Sequence, residues 1–299
     1  MPTDLDELYS RWYLCLTQTK REGKLPELPE VESLVRGVRK QLLGRSFKSI
    51  KFLRPDIREP IPVKRIKEIL IGQKISDVSR RGKYMLIRTA RGFLGVHLGM
   101  SGRFIESSPN TEMANHTHAL FCVNDRVEYR FIDPRRFGRL FSVEKGELHS
   151  HPFLAKLGKE PLEDEHVALH LYQESRKRSQ AVKIFLMDST VVVGIGNIYA
   201  SEALWRARIH PQTKANLLSL AHYESIASSV TEVLREAIAH GGTTLKDYRD
   251  KDGNPGYFQT NLAVYGKEAK PCPSCRQMIA KVIQSGRSTF FCPFCQCAK

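Results

Sequence analysis

With 299 residues, 41% of them hydrophobic and 26% charged, the chain has a globular composition and the length for two cores. Its formal net charge of +15 points to a polyanionic partner, nucleic acid ahead of an anionic membrane surface. No stretch approaches the ~20 consecutive apolar residues of a membrane-spanning helix, and no membrane partner is expected.

Residues 1–24 hold four acids (Asp4, Asp6, Glu7, Glu22) and four bases (Arg11, Lys20, Arg21, Lys24), so the whole charge excess belongs to 25–299. They lack the apolar centre of a signal peptide, which implies a cytosolic, reducing location and cysteines that are not paired as disulfides. Local sequence leaves a short helix and disorder equally open there. The next stretch, Leu25-Pro26-Glu27-Leu28-Pro29-Glu30-Val31-Glu32, starts stiff and extended because proline fixes φ. A helix follows, with Val31, Leu34, Val35, Val38 and Leu42 on one face and Gly44 at its end. Pro29 suits the first turn, and the acids suit the positive end of the helix.

Between about 45 and 145 the pattern is short and β-rich, with strands expected at 46–53, 84–88, 93–97, 119–123 and 127–132. Asn124-Asp125 marks a hairpin turn between the last two. An antiparallel sandwich or barrel is expected, with the leading helix packed on it. From about 160 the chain becomes helical. Ser219 is placed to cap a helix carrying Ile226, Val230, Val233, Leu234 and Ile238, which Gly241-Gly242 stops. Residues 242–265 are polar and glycine-containing and read as a long loop, functional or disordered.

Five of the seven cysteines fall in the last 28 residues. Cys272-x2-Cys275-x16-Cys292-x2-Cys295 is the spacing of two turns that close one tetrahedral thiolate site, and it predicts one structural zinc. Cys297 is a spare, and the symmetry of the pairs favours Cys295 as the fourth ligand. So small a module has almost no core, and the metal would supply its folding energy. Between the pairs, Lys281, Arg287 and Ser288-Thr289 form either a phosphate-touching hairpin tip or a solvated one. Asp133-Pro134-Arg135-Arg136-Phe137-Gly138 suits a nucleic-acid wedge, with a charged turn over a core phenylalanine as the plainer reading. Arg80-Arg81-Gly82-Lys83-Tyr84 is a basic strand entry. Gly194-Ile195-Gly196-Asn197 opens a helix whose N–H groups could hold a phosphate.

Taken together, these motifs resemble the bacterial formamidopyrimidine-DNA glycosylases over residues 25–299. The resemblance runs from Pro26-Glu27-Leu28-Pro29-Glu30-Val31-Glu32 through Gly82-Lys83-Tyr84, His97-Leu98-Gly99-Met100-Ser101-Gly102 and Asp133–Gly138 to Gly196-Asn197-Ile198-Tyr199-Ala200-Ser201-Glu202 and Arg287-Ser288-Thr289-Phe290-Phe291-Cys292. It implies an α+β fold: an N-terminal antiparallel β-sandwich with a leading helix, a helix–two-turns–helix domain and a C-terminal zinc-finger β-hairpin. The expected bounds are 1–25 for an extension outside the family pattern, 26–155, 156–264 and 265–299. It implies a base-excision-repair enzyme that removes oxidised purines, 8-oxoguanine and formamidopyrimidines, from damaged double-stranded DNA and then cuts the strand as an abasic-site lyase. Pro26 nitrogen would be the nucleophile, Glu27 the general acid/base, and Lys83 and Arg287 would assist elimination. Met100, Arg135 and Phe137 would fill the gap left by the extruded nucleotide, while His116, Asn197 and Lys183 would contact DNA. Where the family commonly has a basic residue this chain has Ser179, so that contact shifts to the neighbouring Arg178 or is unmade.

Glu202 is expected to be structural, and 242–258 to be the lesion-capping loop. That loop form, and Leu28 where the endonuclease VIII branch has glycine, place the chain with the formamidopyrimidine branch. An oxidised-pyrimidine preference of the endonuclease VIII type is one alternative. A non-catalytic zinc-containing binder of damaged DNA is the other, should Pro26 remain internal, because its nitrogen would then be a tertiary amide. The expectation is a monomeric bacterial cytoplasmic enzyme, associated with the nucleoid through DNA, whose active chain begins at Pro26. Residue 25 stands where the family has its initiator methionine.

Overall fold

The computed structural model describes residues 26–242 and 261–297. The N-terminal stretch 1–25 and most of the expected capping loop, residues 243–258, lie outside the described residues. The helix α1, Leu28–Leu42, places Pro29 in its first turn and buries Val31, Leu34, Val35, Val38 and Leu42, the stripe expected from the spacing.

After β1 (Ser49–Phe52) and a short helix α2 (Val63–Leu70), seven antiparallel strands follow: β2 (Asp77–Arg81), β3 (Tyr84–Thr89), β4 (Gly92–His97), β5 (Arg103–Ser107), β6 (Thr117–Cys122), β7 (Glu128–Ile132) and β8 (Arg139–Glu144). They form two four-stranded sheets, ordered β1-β6-β7-β5 and β2-β3-β4-β8. One core joins the sheets: Ile50, Phe104, Phe121 and Phe131 from the first meet Val78, Met85, Ile87 and Val96 from the second, with α1 and α2 packed on the same cluster. The second sheet also covers its other face, where Leu86, Phe141, Val143 and Leu154 cluster. Covering both faces explains why Tyr84-Met85-Leu86-Ile87 is uniformly apolar rather than alternating.

The sequence signalled β1, β3, β4, β6 and β7 but not α2, β2, β5 or β8. Each missed strand carries arginines or acids that turn out to be paired. The expected turn at Asn124 is present, its Oδ1 accepting from the Arg126 and Val127 amides at 2.9 and 3.0 Å.

The helical part contains α3 (Val167–Ser175), α4 (Val182–Leu186), α5 (Asn197–Arg206) and α6 (Leu220–Ala239). Ser219 caps α6, accepting from the His222 amide. Leu28, at the start of α1, belongs to the core of this helical part, whereas the rest of α1 belongs to the sandwich core. One helix therefore crosses from one hydrophobic core into the other. The chain closes with the hairpin β9 (Ala280–Gln284) and β10 (Arg287–Phe291), joined by Ser285-Gly286 with φ of 47° and 73°. Two positive φ values define the tight turn whose twist matches a hairpin. The architecture is the expected α+β one.

Candidate active site

The site is built around Glu27, which is 2% exposed. Its backbone N–H donates to Glu30 Oε2 at 2.9 Å, and the Tyr199 hydroxyl donates to Glu30 Oε1 at 2.7 Å. The Glu27 carboxylate reaches across the domain boundary to the N-terminus of α5, accepting from the amides of Gly196 (2.7 Å) and Ile198 (3.1 Å). Anions are stabilised at such helix ends.

The helix start that could have held a phosphate therefore holds a side chain of the protein. This also accounts for the two glycines. A Cβ on Gly196 would lie 2.2 Å from the Glu27 carboxyl carbon, and one on Gly194, at φ +84°, would lie 2.5 Å from the Leu28 side chain. Pro26, half-buried, is thus tethered by the residue that follows it.

Two lysines from different parts of the fold, Lys83 and Lys183, act on this carboxylate, and Arg287 acts on both lysines. Lys83 follows the β2–β3 turn and points Nζ at the Ile195 carbonyl, 3.4 Å away. Burial lowers its pKa, opposed by the charge of Glu27. Burial raises the pKa of Glu27, opposed by Lys83. Opposite shifts bring the proton affinities of a carboxyl and an ammonium closer together, which suits proton exchange between them. Arg287, exposed at the start of β10, pushes the Lys83 pKa further down.

Lys183, expected to contact DNA, lies in the interior at the seam of the helical part and the zinc hairpin. It is fully buried, and its ammonium donates to Asn197 Oδ1, Thr289 Oγ1 and the Ser288 carbonyl. These contacts tie α5 to the zinc hairpin. Burial pulls its pKa down to about 7. Asn197 is likewise engaged, donating Nδ2 to the Ser288 carbonyl at 2.9 Å and to the Tyr265 hydroxyl at 3.3 Å. Arg178 is held by Asp188 at 2.8 Å and is 32% exposed.

The turn before Lys83 is fixed by a residue with no sequence signal. Glu160, in the linker between the domains, accepts from Arg80 (2.6 Å), Arg81 (3.0 Å) and the Gly82 amide (2.6 Å). Only the adjacent Arg80 and Arg81, in need of counter-charges, could have hinted at it.

A second missed residue organises the wedge. Asp133 is fully buried. Its Oδ1 accepts from the Ser101 hydroxyl and its Oδ2 from the Gly138 amide, both at 2.7 Å; its amide donates to the His116 carbonyl and its carbonyl accepts from His118 Nε2. Ser101 in turn accepts from the Arg135 amide at 3.1 Å. One carboxylate thus gathers the segments carrying Met100, Arg135, Phe137 and His116. Phe137 is 39% exposed, with the Arg135 guanidinium 5.0 Å from its ring centroid. His116 is exposed at φ 66°.

The Cys272, Cys275, Cys292 and Cys295 sulfurs all lie within 4.8 Å of one another. A tetrahedral Zn–S4 centre needs S···S separations of about 3.8 Å, so the donor set and its geometry fit one zinc ion. Cys297 is exposed and outside the group. Glu202, as expected, is structural: it accepts from the amides of Ala263, Val264 and Tyr265, clamping the entry to this module.

Comparison with known proteins completes the description. Residues 25–140 match the formamidopyrimidine-DNA glycosylase N-terminal domain, 157–249 the H2TH domain of the same enzymes, and 269–296 a zinc finger found in FPG and IleRS. The formamidopyrimidine-DNA glycosylase of Legionella pneumophila (strain Philadelphia 1) is 40% identical over 91% of this chain and 98% of its own length. That of Magnetococcus marinus is 44% identical over 91% and 99%. The chain belongs to the formamidopyrimidine-DNA glycosylase family.

Among solved structures, the Lactococcus lactis formamidopyrimidine-DNA glycosylase bound to abasic-site DNA superimposes with a TM-score of 0.83 at 30% identity, covering 91% of this chain and all of that one. The same enzyme bound to DNA containing Fapy-dG gives 0.82 at 31%, with the same coverage. Family membership makes this protein a base-excision-repair DNA glycosylase with abasic-site lyase activity, a DNA-binding protein with one structural zinc. Among the described residues no helix is long and apolar enough to cross a membrane.

Proposed function

We propose that Pro26 is the nucleophile of this formamidopyrimidine-DNA glycosylase and that oxidised purines, 8-oxoguanine and formamidopyrimidines, are its main substrates. A damaged base is out of reach inside a duplex and must be extruded. Met100, Arg135 and Phe137 then occupy the space it leaves. The Pro26 nitrogen attacks C1′ of the extruded nucleotide and the base departs with the glycosidic electron pair.

An α-amino group titrates near ~8, low enough to be partly free of its proton at neutral pH. Because proline is a secondary amine, its adduct opens to an iminium ion with no further proton to lose. That ion draws electrons from C2′ and drives β- and then δ-elimination, expelling the phosphates on either side. Glu27, buried beside Pro26 with a raised pKa, moves protons at the sugar. Lys83 and Arg287 steady the phosphates and assist elimination. Asn197 and Lys183 fix the seam behind the phosphate contacts, and His116 lies on the DNA side.

The catalytic assembly spans 26–155, the helical domain 156–264 and the zinc module 265–299. A cytoplasmic, chromosome-associated monomer is the corresponding form. The observation that carries the reading is the buried Glu27 carboxylate, fixed by Gly196 and Ile198 one residue after Pro26, amid Lys83, Lys183 and Arg287.

Borohydride trapping on duplexes carrying 8-oxoguanine tests it, since reduction of an iminium gives a stable crosslink. Protein whose first residue is Pro26, verified by mass, is expected to be trapped. Protein verified to carry residues 1–25 is not, because its Pro26 nitrogen is an amide. Equal trapping of both forms would remove Pro26 from the mechanism. Failure of both would favour a non-catalytic binder. Structures of the L. lactis enzyme include one with DNA containing an oxidised pyrimidine, so the assay is run in parallel on such a lesion and slower turnover is expected there.

A further inference from the structure

The β2-β3-β4-β8 sheet has two ends. One carries Lys83 and His97 and faces the catalytic centre. At the other, the end of α1, the β3–β4 turn and the segment after β8 surround a cavity of about 850 Å³. Along β3, Tyr84 to Thr89 is five residue steps of ~3.3 Å, so this cavity opens roughly 17 Å from the Lys83 end.

Its walls include Leu43, Phe93 and Leu148, and Leu43 is 49% exposed. Its rim carries Lys74, Arg88 and Lys145, all exposed. None of the three has an ion-pair partner among the described residues. The one carboxylate opposite Arg88 in the sheet, Asp77, is taken by Arg39 at 3.2 Å. No carboxylate lines the cavity. Nothing in the glycosylase reaction uses this end of the sheet.

We propose that this cavity is a docking site for a short acidic peptide segment of a partner protein, with one large apolar side chain inserted between Leu43, Phe93 and Leu148 and flanking carboxylates on Lys74, Arg88 and Lys145. Its mainly apolar walls separate it from a phosphate-binding surface, which would be polar. Cations without a carboxylate partner around an apolar floor, Arg88 among them resting 5.7 Å over the Phe93 ring, select a ligand that is both anionic and apolar. Because the site is remote from the duplex face, partner and DNA can be held at once, which would bring the enzyme to DNA already carrying the partner.

The test uses the full-length protein and the fluorescein-labelled peptide Glu-Asp-Glu-Leu-Phe-Asp-Glu, followed by fluorescence anisotropy at low salt. Binding with Kd in the range of ~10–100 µM is expected, typical of one anchored side chain with screened charges. The double variant Lys74→Glu, Lys145→Glu should weaken it about tenfold or more. Ala90→Trp, which fills the mouth at an exposed position without changing charge, should abolish it. Cleavage of lesion duplex should be unchanged in both variants, which also reports that they fold.

Saturating lesion duplex should leave peptide binding intact. Displacement of the peptide by that duplex would place it on the DNA face and overturn the proposal. So would wild-type affinity in either variant, or undiminished affinity for a peptide in which Leu-Phe is replaced by Ser-Ser. Displacement of the peptide by oligothymidylate while lesion duplex already occupies the DNA face would show that the cavity takes nucleic acid instead, and would also overturn the proposal.

Discussion

Asp133 illustrates how a buried carboxylate can serve recognition without touching the substrate. Its four polar contacts hold three loops whose tips carry Met100, Arg135, Phe137 and His116. Asp133→Ala leaves the Ser101 hydroxyl and Gly138 amide without an acceptor, at roughly 1–3 kcal/mol for each group that stays buried. Affinity for lesion duplex should fall about tenfold or more, and affinity for undamaged duplex much less, because the wedge acts only where a base has left the stack. Asp133→Asn, which keeps one acceptor, should recover part of the loss. Equal losses on the two DNAs in a binding titration would assign Asp133 to general folding instead.

His97 offers a residue-scale test by pH. Burial, reinforced by Lys83, Arg139 and Arg58, lowers its pKa to about 3, and its neutral Nδ1 accepts from the Gly99 amide at 3.1 Å in the Met100 loop. In the unfolded chain it would bind a proton near pH 6.5. Between 6.5 and about 3 the unfolded state therefore holds more protons, so this contribution to stability is complete above pH 6.5 and is lost as pH falls toward 3. NMR of the His97 ring should show no titration between pH 8 and 5.

Among the elements, legibility followed the physics of each segment. The helix α1 was readable because its burial repeats at helical spacing. The zinc hairpin was readable because thiolate geometry dictates the cysteine spacing. By contrast, β2 reads Asp-Val-Ser-Arg-Arg; the Arg80 side chain is buried against Glu32, Glu160 and Glu163, and the half-buried Arg81 shares Glu160, all from other elements. No local pattern encodes a partner some eighty residues away. For the same reason Lys83 and Arg287 were identifiable by resemblance, whereas Glu160, and the organising role of Asp133 within its motif, were not. For Lys183 only the tertiary structure reveals its three internal acceptors, Asn197, Ser288 and Thr289.

The hairpin also carries a prediction about metal. Trp205 packs against the module of Val264, Cys272, Ile279, Phe290 and Cys292. Chelation of zinc, or Cys292→Ser, should unfold β9 and β10, release Lys183 from Ser288 and Thr289, and withdraw Arg287 from the site. The expected signs are red-shifted Trp205 emission and a loss of DNA affinity, with the β-sheet circular dichroism of the sandwich retained. Unchanged fluorescence after complete zinc removal would contradict a metal-dependent fold for this module.

At the scale of the whole molecule, the active site exists only where three parts meet. α1 is rooted in the helical core at Leu28 and in the sandwich core from Val31 onward, while Glu27 and Glu30 are bonded to the N-terminal turn of α5 and to Tyr199. The hairpin is joined to the same helix through Lys183 and Asn197. The cations gathered this way predict how binding depends on salt. Each phosphate neutralised contributes about −0.9 to the slope of log K against log salt. With Arg136 and Arg287 exposed and Lys83 at the centre, binding to undamaged duplex should show a slope of roughly −3 or steeper.

Arg287→Ala should flatten that slope by about one. Lys74→Glu with Lys145→Glu removes more charge, yet it acts at the far end of the sheet, roughly 17 Å from the Lys83 end, beyond the ~10 Å screening length of 0.1 M salt. Above that concentration the double variant should bind duplex with the wild-type slope, which separates charge that contacts DNA from charge that merely belongs to a basic protein. A slope that followed net charge alone, falling as much in the distant variant as in Arg287→Ala, would show that DNA is held by the protein's overall field rather than by the assembled site.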